Sequence, residues 1–237
     1  MICFFTSAAD IHGKACLNPA NGFVDRLRQS LPDPFRGLFI SSDPEDAFVN
    51  DIVWANMRGY FASEGMLMSH CTVLDSRTEH EAARLIAEAQ LIVLSGGHVP
   101  TQNAFFERIG LRELISTFDG VLVSISAGTM NSADVVYAMP ELEGEAIDPG
   151  FRRTLRGLGL TDISVIPHFQ YIRTLALDGI PMEDIARQDS MKRRLYAIND
   201  GSYILSKDGA QRLYGEAYLI EKATITPICA DGESIGL

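Results

Sequence analysis

Residues 121 to 130, VLVSISAGTM, decide how the rest of the chain is interpreted. An apolar run of the β type ends here in Ser-Ile-Ser-Ala-Gly instead of in an ordinary turn. Small residues two positions before and two positions after Ser126 allow a strand to turn sharply into a helix and leave the serine side chain accessible. The stretch therefore predicts a strand, a sharp turn at Ser126 and a helix. A plain strand-end turn is the alternative.

Short apolar runs alternate with helical patterns on both sides of this stretch. The runs are ICFFTS at 2–7, GLFISS at 37–42, CTVLD at 71–75, LIVLSGG at 91–97 and GVLVSIS at 120–126. The alternation predicts an α/β fold, with a mostly parallel central sheet and helices on both faces. ISVIPH at 163–168 predicts a further strand, and the pattern around Asp208-Gly209 predicts a C-terminal hairpin. We expect one domain over residues 1–237, with the hairpin as an antiparallel edge or an appended ribbon.

Two of the predicted helices carry start signals. Asp43 suits an N-cap with Pro44 at the first helical position, and Ser76 and Glu79 have the spacing of a capping box. Four apolar or small residues after Pro44 recur at helical spacing: Phe48, Ile52, Ala55 and Gly59. Both segments are therefore predicted to be crossover helices between strands.

Composition and charge narrow the function classes. With 46% hydrophobic and 22% charged residues, the chain is typical of soluble globular proteins. The net charge of -11 disfavours general binding to nucleic acid or anionic lipid, which requires clustered Lys and Arg. The first residues, MICFFTSAADIHGK, have no signal-like features, so we expect them to form the first core strand of a cytoplasmic protein. The protein is expected to be a monomer or a homodimer. The expected partner is a small peptide or an amino-acid amide, without nucleic acid or membrane.

Cysteine spacing and phosphate-binding motifs exclude other classes. The four cysteines form no CxxC pair and do not cluster with histidine, so we expect reduced thiols: Cys3, Cys16, Cys71 and Cys229. Neither GxGxxG nor GxxxxGK[ST] occurs, so no nucleotide-phosphate cradle is predicted. We expect that the protein requires no metal or organic cofactor.

Ser126 is the candidate nucleophile, and two turns supply a candidate oxyanion hole. The backbone N–H of Ala127 would face an oxyanion that forms beside the serine. In LIVLSGGHVPTQ, Gly96 and Gly97 let the backbone approach a ligand, and the N–H of Gly97 would supply the second donor. His98 would line the pocket, with a helix beginning near Gln102. A tight strand-to-helix turn without a ligand is the alternative.

The base and its orienting carboxylate come from later segments. Of five histidines, His168 ends the predicted strand ISVIPH, at the carboxyl edge of a parallel sheet where catalytic groups collect. It follows Ser126 in the chain, as the base of an α/β-hydrolase follows its serine. Asp200, in LYAINDGSYIL, is the candidate carboxylate that orients the imidazole. Asp134 and Glu141 are alternatives, and Asp200 also suits a plain Asp-Gly turn.

These landmarks resemble the family that contains aspartyl dipeptidase (peptidase E) and cyanophycinase. They are Gly-Gly, Ser-Ala-Gly and Pro-His-Phe after successive strands and Asp-Gly before a hairpin, and they span residues 91 to 205. The resemblance implies a class I glutamine amidotransferase-like fold and a serine peptidase with Ser126, His168 and Asp200 as its triad. It also implies an acidic residue that holds the substrate amino group, for which Glu141 is the nearest match. The implied basic residue beyond the histidine has four candidates: Arg173, Arg187, Arg193 and Arg194.

Three positions depart from that family's pattern. Ser124 replaces a glycine, and its hydroxymethyl group is expected to crowd the turn. SGGH at 95–98 lacks a third glycine and an asparagine, and Asp200 replaces a glutamate, so its backbone must lie about a methylene closer to the histidine. We expect hydrolysis of a peptide or amide bond through an acyl-enzyme. An esterase, or a non-catalytic or amidotransferase-like binding protein with the same pocket, is the alternative.

Overall fold

The computed structural model describes residues 1–237, which form sixteen strands and eight α-helices. The strands are β1 (Ile2–Thr6), β2 (Phe35–Ile40), β3 (Met68–Leu74), β4 (Leu91–Leu94), β5 (Val121–Ile125), β6 (Val135–Tyr137), β7 (Thr154–Arg156), β8 (Val165–Ile166), β9 (Ala176–Leu177), β10 (Ile180–Pro181), β11 (Leu195–Ile198), β12 (Tyr203–Lys207), β13 (Ala210–Tyr214), β14 (Ala217–Glu221), β15 (Thr224–Cys229) and β16 (Ser234–Gly236). The helices are α1 (Phe23–Ser30), α2 (Ala47–Ser63), α3 (Ala82–Glu88), α4 (Val99–Arg108), α5 (Leu111–Ile115), α6 (Ala127–Ser132), α7 (Phe169–Ile172) and α8 (Met182–Asp189).

Eight strands form the central sheet, in the order β16-β13-β12-β1-β5-β4-β2-β3. The neighbours from β1 to β3 are all parallel, whereas β12, β13 and β16 continue the sheet in antiparallel pairing. The parallel strands are apolar almost throughout because both faces of a sheet covered by helices are buried. The predicted mixed α/β architecture, with a mostly parallel central sheet, is confirmed.

Alternate residues of β1 show how the two faces are covered. Phe4 packs in a cluster with residues of α1 and α2, including Trp54. Phe5 points to the opposite face, because successive strand residues alternate, and it packs with residues of α3, α4 and α5. A third cluster contains Met130 of α6, with residues of α7 and α8 and of a second sheet. Helices therefore cover both faces of the central sheet.

The prediction for residues 163–168 is wrong in extent and in sheet. Only Val165 and Ile166 form a strand, and they pair in parallel with β11. β11 belongs to a separate four-stranded sheet of order β15-β14-β11-β8. A strand of only two apolar residues does not show from its sequence which sheet it joins. The hydrophobic periodicity therefore could not assign β8 to the second sheet.

The predicted helix starts are also displaced. α2 begins at Ala47, where the Asp46 side chain accepts a hydrogen bond from the Val49 N–H, so the N-cap is Asp46 and not Asp43. Asp43 lies instead in a loop, and its carbonyl accepts a hydrogen bond from the Asn50 side chain. α4 begins at Val99, three residues before Gln102. Tertiary hydrogen bonds in these loops decide where each helix can start.

The predicted capping box at Ser76 does not form. The Ser76 hydroxyl donates to the carbonyl of Pro44, and a short 3-10 turn at Glu79–Glu81 precedes α3. Thr78 comes before that turn and its hydroxyl donates to the Val73 carbonyl. The hydroxyls in this segment therefore fix its loop to the end of β3 and to the loop before α2.

The helical stripe predicted for α2 is real but lies on its exposed side. The exposed residues at this spacing are Phe48, Ile52, Ala55 and Gly59. The buried residues form a second stripe, at the same spacing but on the other side of the helix: Asn50, Trp54, Met57 and Phe61. The sequence alone could not show which of the two stripes faces the core.

The C-terminal hairpin has the predicted turn. Lys207 pairs with Ala210, and the two residues between them, Asp208 and Gly209, have φ of 52° and 77°, as a type I′ turn requires. β12 pairs directly with β1, so the hairpin is an antiparallel extension of the central sheet and not an appended ribbon. All four cysteines are free. No helix has the length and apolar character of a membrane span.

Substitution of Gly128 by alanine is expected to destabilise the fold. A Cβ at Gly128 would lie 2.7 Å from the carbonyl oxygen of Leu94, because α6 packs directly on β4. Backbone atoms cannot move aside cheaply, so we expect a loss of about 1–3 kcal/mol in the free energy of unfolding, measured by urea denaturation. Gly236→Ala, where nothing lies within 4 Å, is the control and should change stability little. Equal stability of the two variants would contradict this packing.

Candidate active site

Ser126 forms the whole connection between β5 and α6. Its φ of 50° and ψ of -110° lie in a region that residues with a side chain rarely adopt, at a cost of order 1–3 kcal/mol. The Ser126 N–H donates to the Thr6 carbonyl (3.1 Å), and the Ser126 carbonyl accepts from the Met130 N–H (3.0 Å). Both ends of the strained residue are therefore held, and its side chain remains partly exposed.

Ser124 does not crowd this turn, contrary to expectation. It is fully buried within β5, and its hydroxyl lies 3.0 Å from the hydroxyl of Thr129. Thr129 in turn donates toward the carbonyls of Thr6 (2.8 Å) and Ser124 (2.9 Å). The extra hydroxyl thus joins β1, β5 and α6 below the turn instead of obstructing it.

His168 follows β8 and is paired with Asp200. The His168 Nδ1 lies 2.7 Å from Asp200 Oδ1, and both side chains are partly exposed. His168 has a left-handed backbone (φ 56°, ψ 32°) and immediately precedes α7. The other ring nitrogen of His168, Nε2, makes no hydrogen bond within the chain. It is therefore available to accept a proton from a bound molecule or to donate one to it.

Ser7, which the sequence analysis missed, connects the histidine and the aspartate. Its hydroxyl accepts a hydrogen bond from the His168 backbone N–H (2.7 Å) and donates to Asp200 Oδ1 (2.7 Å). Ser7 is fully buried and directly follows β1. A serine at the end of ICFFTS, at the carboxyl end of a predicted core strand, was the available signal.

The end of β1 therefore brings the three predicted residues to one edge of the central sheet. Thr6 binds the backbone of Ser126, and the next residue, Ser7, binds both His168 and Asp200. The Ser126 hydroxyl makes no hydrogen bond to His168 in this structure. Such bonds are often long without substrate and tighten when it binds.

Asp200 is the carboxylate that contacts His168, and neither alternative does so. Burial raises the pKa of Asp200, but hydrogen bonds from His168 and Ser7 outweigh it and hold that pKa below its usual value. Asp134 instead forms an ion pair with Arg112 (2.6 Å). Gln170, two residues after His168, accepts a hydrogen bond from the Asp200 N–H (3.1 Å) and so holds the Asp200 backbone close enough for the shorter side chain to reach the imidazole.

The glycine turn after β4 lies beside Ser126. A Cβ at Gly96 would lie 3.4 Å from the Ser126 Cβ, and the Gly96 carbonyl accepts a hydrogen bond from the Ser42 hydroxyl (2.6 Å). Because the C=O and N–H of a trans peptide point in opposite directions, Ser42 orients the Gly97 N–H away from itself. Gly97 has φ of 153°, and a Cβ there would lie 2.6 Å from the Ser42 Cβ. No local sequence pattern marks Ser42 as a site residue.

A buried amide network joins this glycine turn to α6. The Gln102 side chain donates to the Ser95 carbonyl (2.8 Å), and Asn131 donates to the Gln102 carbonyl oxygen (3.0 Å). The Gly128 N–H also donates to the Ser95 carbonyl (3.2 Å). The turn and the start of α6 are therefore fixed relative to each other.

An acidic loop between β6 and β7 is fixed to His98. His98 Nε2 lies 2.9 Å from Glu145 Oε1, and Glu145 Oε2 accepts from the N–H groups of Glu141 (2.8 Å) and Leu142 (3.0 Å). Burial raises the pKa of Glu145, but these hydrogen bonds and the charge of His98 lower it overall. From the other side, Asp178 accepts from two further loop N–H groups.

The backbone of Glu141 is held in this loop by its N–H bond to Glu145. Glu141 as a whole is exposed to solvent, but the surrounding loop partly desolvates its carboxyl group. That desolvation and the neighbouring Glu145 raise the pKa of Glu141 to about 7, and His168 acts in the opposite direction.

The candidate arginines have other partners. Arg173, five residues after His168, contacts Glu183 (3.4 Å) and stacks over the Tyr218 ring (5.3 Å). The other three bind different partners: Arg187 binds Glu183, Arg194 binds Glu221 and Arg193 binds Thr154. Only Arg173 is close in sequence to the histidine, and its side chain is about half exposed.

The assembled site offers a hydroxyl, an imidazole–carboxylate pair, a glycine turn and an acidic loop. These groups can carry nucleophilic and acid–base chemistry on a carbonyl compound. No group of three or more His, Cys, Asp or Glu side chains is arranged to hold a metal ion.

Solved structures share this fold. A peptidase from an acI-B1 Actinobacterium has a TM-score of 0.71 and 18% identity, over 100% of this chain and 96% of that chain. A candidate peptidase E from Listeria monocytogenes EGD-e has a TM-score of 0.61 and 17% identity, over 90% and 96%. No family model matches the sequence, and no curated protein is similar to it. At these identities the likeness establishes a fold shared with proteins described as peptidases.

The stability contributed by Asp200 should depend on pH. Its pKa is lowered in the folded state, so the contribution is present above the unfolded value of about 4 and is lost as the pH falls through the folded value. Asp200→Asn cannot ionise and lacks this contribution. The difference between wild type and variant in the free energy of unfolding should therefore be largest near neutral pH and shrink toward about pH 3, measured by urea denaturation. A difference that grows on acidification would contradict the assignment.

Proposed function

We propose that the protein is a serine hydrolase that cleaves a peptide or amide bond in a small substrate. The main support is the position of the His168–Asp200 pair, which Ser7 anchors at the same strand end that holds the Ser126 turn. A strained serine between a strand and a helix is the usual setting of a nucleophile in α/β hydrolases. The fold shared with proteins described as peptidases is consistent with this function.

In the proposed reaction, the Ser126 oxygen attacks the substrate carbonyl while Nε2 of His168 takes the hydroxyl proton. Asp200 accepts the hydrogen bond from Nδ1–H and stabilises the imidazolium that forms. The tetrahedral intermediate expels the amine, which receives the proton from His168, and leaves an acyl ester on Ser126. Water then attacks the ester by the same steps in reverse, releasing the acid and the free serine.

The oxyanion is proposed to bind the N–H groups of Gly97 and Ala127. Ala127 is the first residue of α6, and the first N–H groups of a helix have no intrahelical acceptor. The Gly97 N–H is oriented by the bond from Ser42 to the preceding carbonyl. Because these N–H donors are already oriented before the reaction begins, they do not have to reorganise as the oxyanion forms. Each such donor raises the rate substantially.

The acidic loop supports a substrate with a free amino group. Glu141 belongs to the loop that Glu145 fixes to His98, and a substrate ammonium would favour its ionised form. Gly96 and His98 would line the same cleft, and Arg173 is the nearest candidate for a substrate carboxylate. These features favour a dipeptide or an amino-acid amide. The four free thiols favour a reducing compartment, so we propose that the protein acts in the cytoplasm.

One observation favours a second candidate, a binding protein with the same pocket. The Ser126 hydroxyl is not bonded to His168 in this structure, and a non-hydrolytic protein would not need that bond. A fluorophosphonate probe separates the two candidates, because only an activated serine reacts with it. Labelling of wild type but not of Ser126→Ala supports the hydrolase, and failure to label over a range of pH supports the binding protein.

Ser126→Ala should lower kcat by roughly 10⁴ to 10⁶ without changing the fold. Activity is measured on dipeptides, aminoacyl amides and simple esters, which also separates a peptidase from an esterase. Ser63→Ala removes an exposed hydroxyl at the end of α2 and is the control, with unchanged activity expected. Undiminished hydrolysis by Ser126→Ala would refute the assignment.

Ser42→Ala should lower kcat by roughly 10-fold to 100-fold, less than the loss of a direct oxyanion donor. The hydroxyl orients the Gly96–Gly97 peptide and does not contact the substrate, so KM should change little. Ser42→Thr retains the hydroxyl and should restore most of the rate. An increase in KM at constant kcat would instead assign Ser42 to substrate binding.

A further inference from the structure

Helix α2 carries two stripes spaced by four, three and four residues, and one of them has no partner. Asn50, Trp54, Met57 and Phe61 face the core. The second stripe, here called the outer seam, consists of Phe48, Ile52, Ala55 and Gly59 and is exposed. Apolar residues at this spacing form the contact line between packed helices.

The outer seam is unusually apolar for a free surface. Phe48 is 76% exposed and Ile52 is 44% exposed, and Val49 (47%) and Val53 (38%) extend the surface on one side. Single exposed apolar residues are ordinary, but a contiguous apolar surface on one helix marks a contact site.

We propose that the outer seam binds the outer seam of a second copy of this chain, with the two α2 helices antiparallel about a two-fold axis. Sizes along the seam are self-complementary in this arrangement. An axis midway between Ile52 and Ala55 places Phe48 of each copy against Gly59 of the other, and Ile52 against Ala55. Large residues at one end thus meet small residues at the other, as an isologous contact requires.

Charges beside the seam are complementary in the same arrangement. Asp51 and Arg58 are seven residues apart and therefore lie on the same flank of α2. In an antiparallel pair about a two-fold axis each flank meets its own copy, so Asp51 of one chain lies near Arg58 of the other. Asp51 is exposed and is bonded to Arg77, whereas Arg58 has no ion pair or hydrogen bond within the chain. The dimer supplies that missing partner.

The proposed contact area is small, so the expected affinity between the two copies is low. The apolar residues of this surface expose on the order of 400 Å² on each copy. Both copies together bury less than a standard interface of about 1,600 Å², so a weak dimer is expected, with a Kd of about 10–100 μM. The dimer does not depend on the proposed hydrolase activity.

Sedimentation velocity of the full chain, from about 5 to 500 μM, tests the proposal. Wild type should shift from the 26.0 kDa monomer toward a dimer over this range. Ile52→Asp places a charge in the centre of the seam and should weaken association more than 10-fold. Met191→Asp changes a residue that is 62% exposed and lies outside α2, and it should associate like wild type.

Gly59→Leu distinguishes the proposed register from general stickiness. Leucine would fill the space opposite Phe48 of the partner, so association should weaken about 10-fold, whereas unspecific apolar association would strengthen. Thermal unfolding at low concentration shows whether each variant remains folded. A monomeric wild type at the highest concentration, or stronger association of Gly59→Leu, would overturn the proposal. Either result would leave the outer seam uncovered or assign it to another protein.

Discussion

The hydroxyl of Ser7 is the constraint on which the rest of the site depends. It is buried at the end of β1 and bonds both to the backbone of His168 and to the carboxylate of Asp200. His168 precedes α7 outside the central sheet, and Asp200 lies in the turn that leads into β12. The hydroxyl ties both to the strand that also binds the Ser126 backbone, so one strand end sets the geometry of three separate segments.

Strained backbone occurs around the site as well as in turns elsewhere in the chain. Ser126, His168 and Asp178 all have positive φ, which residues with a side chain rarely adopt. Each is bonded to neighbouring segments: Ser126 to β1, His168 to Ser7 and Asp178 to the acidic loop. Such strain persists only where the surrounding structure over-determines it, and it often marks a functional site.

The sequence predicted those features that depend on neighbouring residues. The strand-to-helix turn at Ser126, the parallel strands and the Asp208-Gly209 hairpin all follow from residues a few positions apart. Ser7 and Ser42 could not be found in this way, because their roles come from partners 161 and 54 residues distant. The second sheet was missed for the same reason, since β8 has two residues and is defined by its pairing with β11. The outer side of α2 was ambiguous because both stripes have helical spacing.

Asp200 and Glu141 have pKa values shifted in opposite directions, the first by hydrogen bonds and the second by desolvation and the charge of Glu145. Asp200 accepts hydrogen bonds from His168 and Ser7, which outweigh burial and keep it ionised. Glu141 is desolvated beside Glu145, which raises its pKa to about 7. Environments that separate two titratable groups in this way assign them different tasks. An ionised Asp200 suits the orientation of an imidazole, whereas a cation that binds beside Glu141 would shift that group further toward its ionised form. In the proposed hydrolase, the charge of Glu141 would therefore be coupled to the arrival of a substrate amino group.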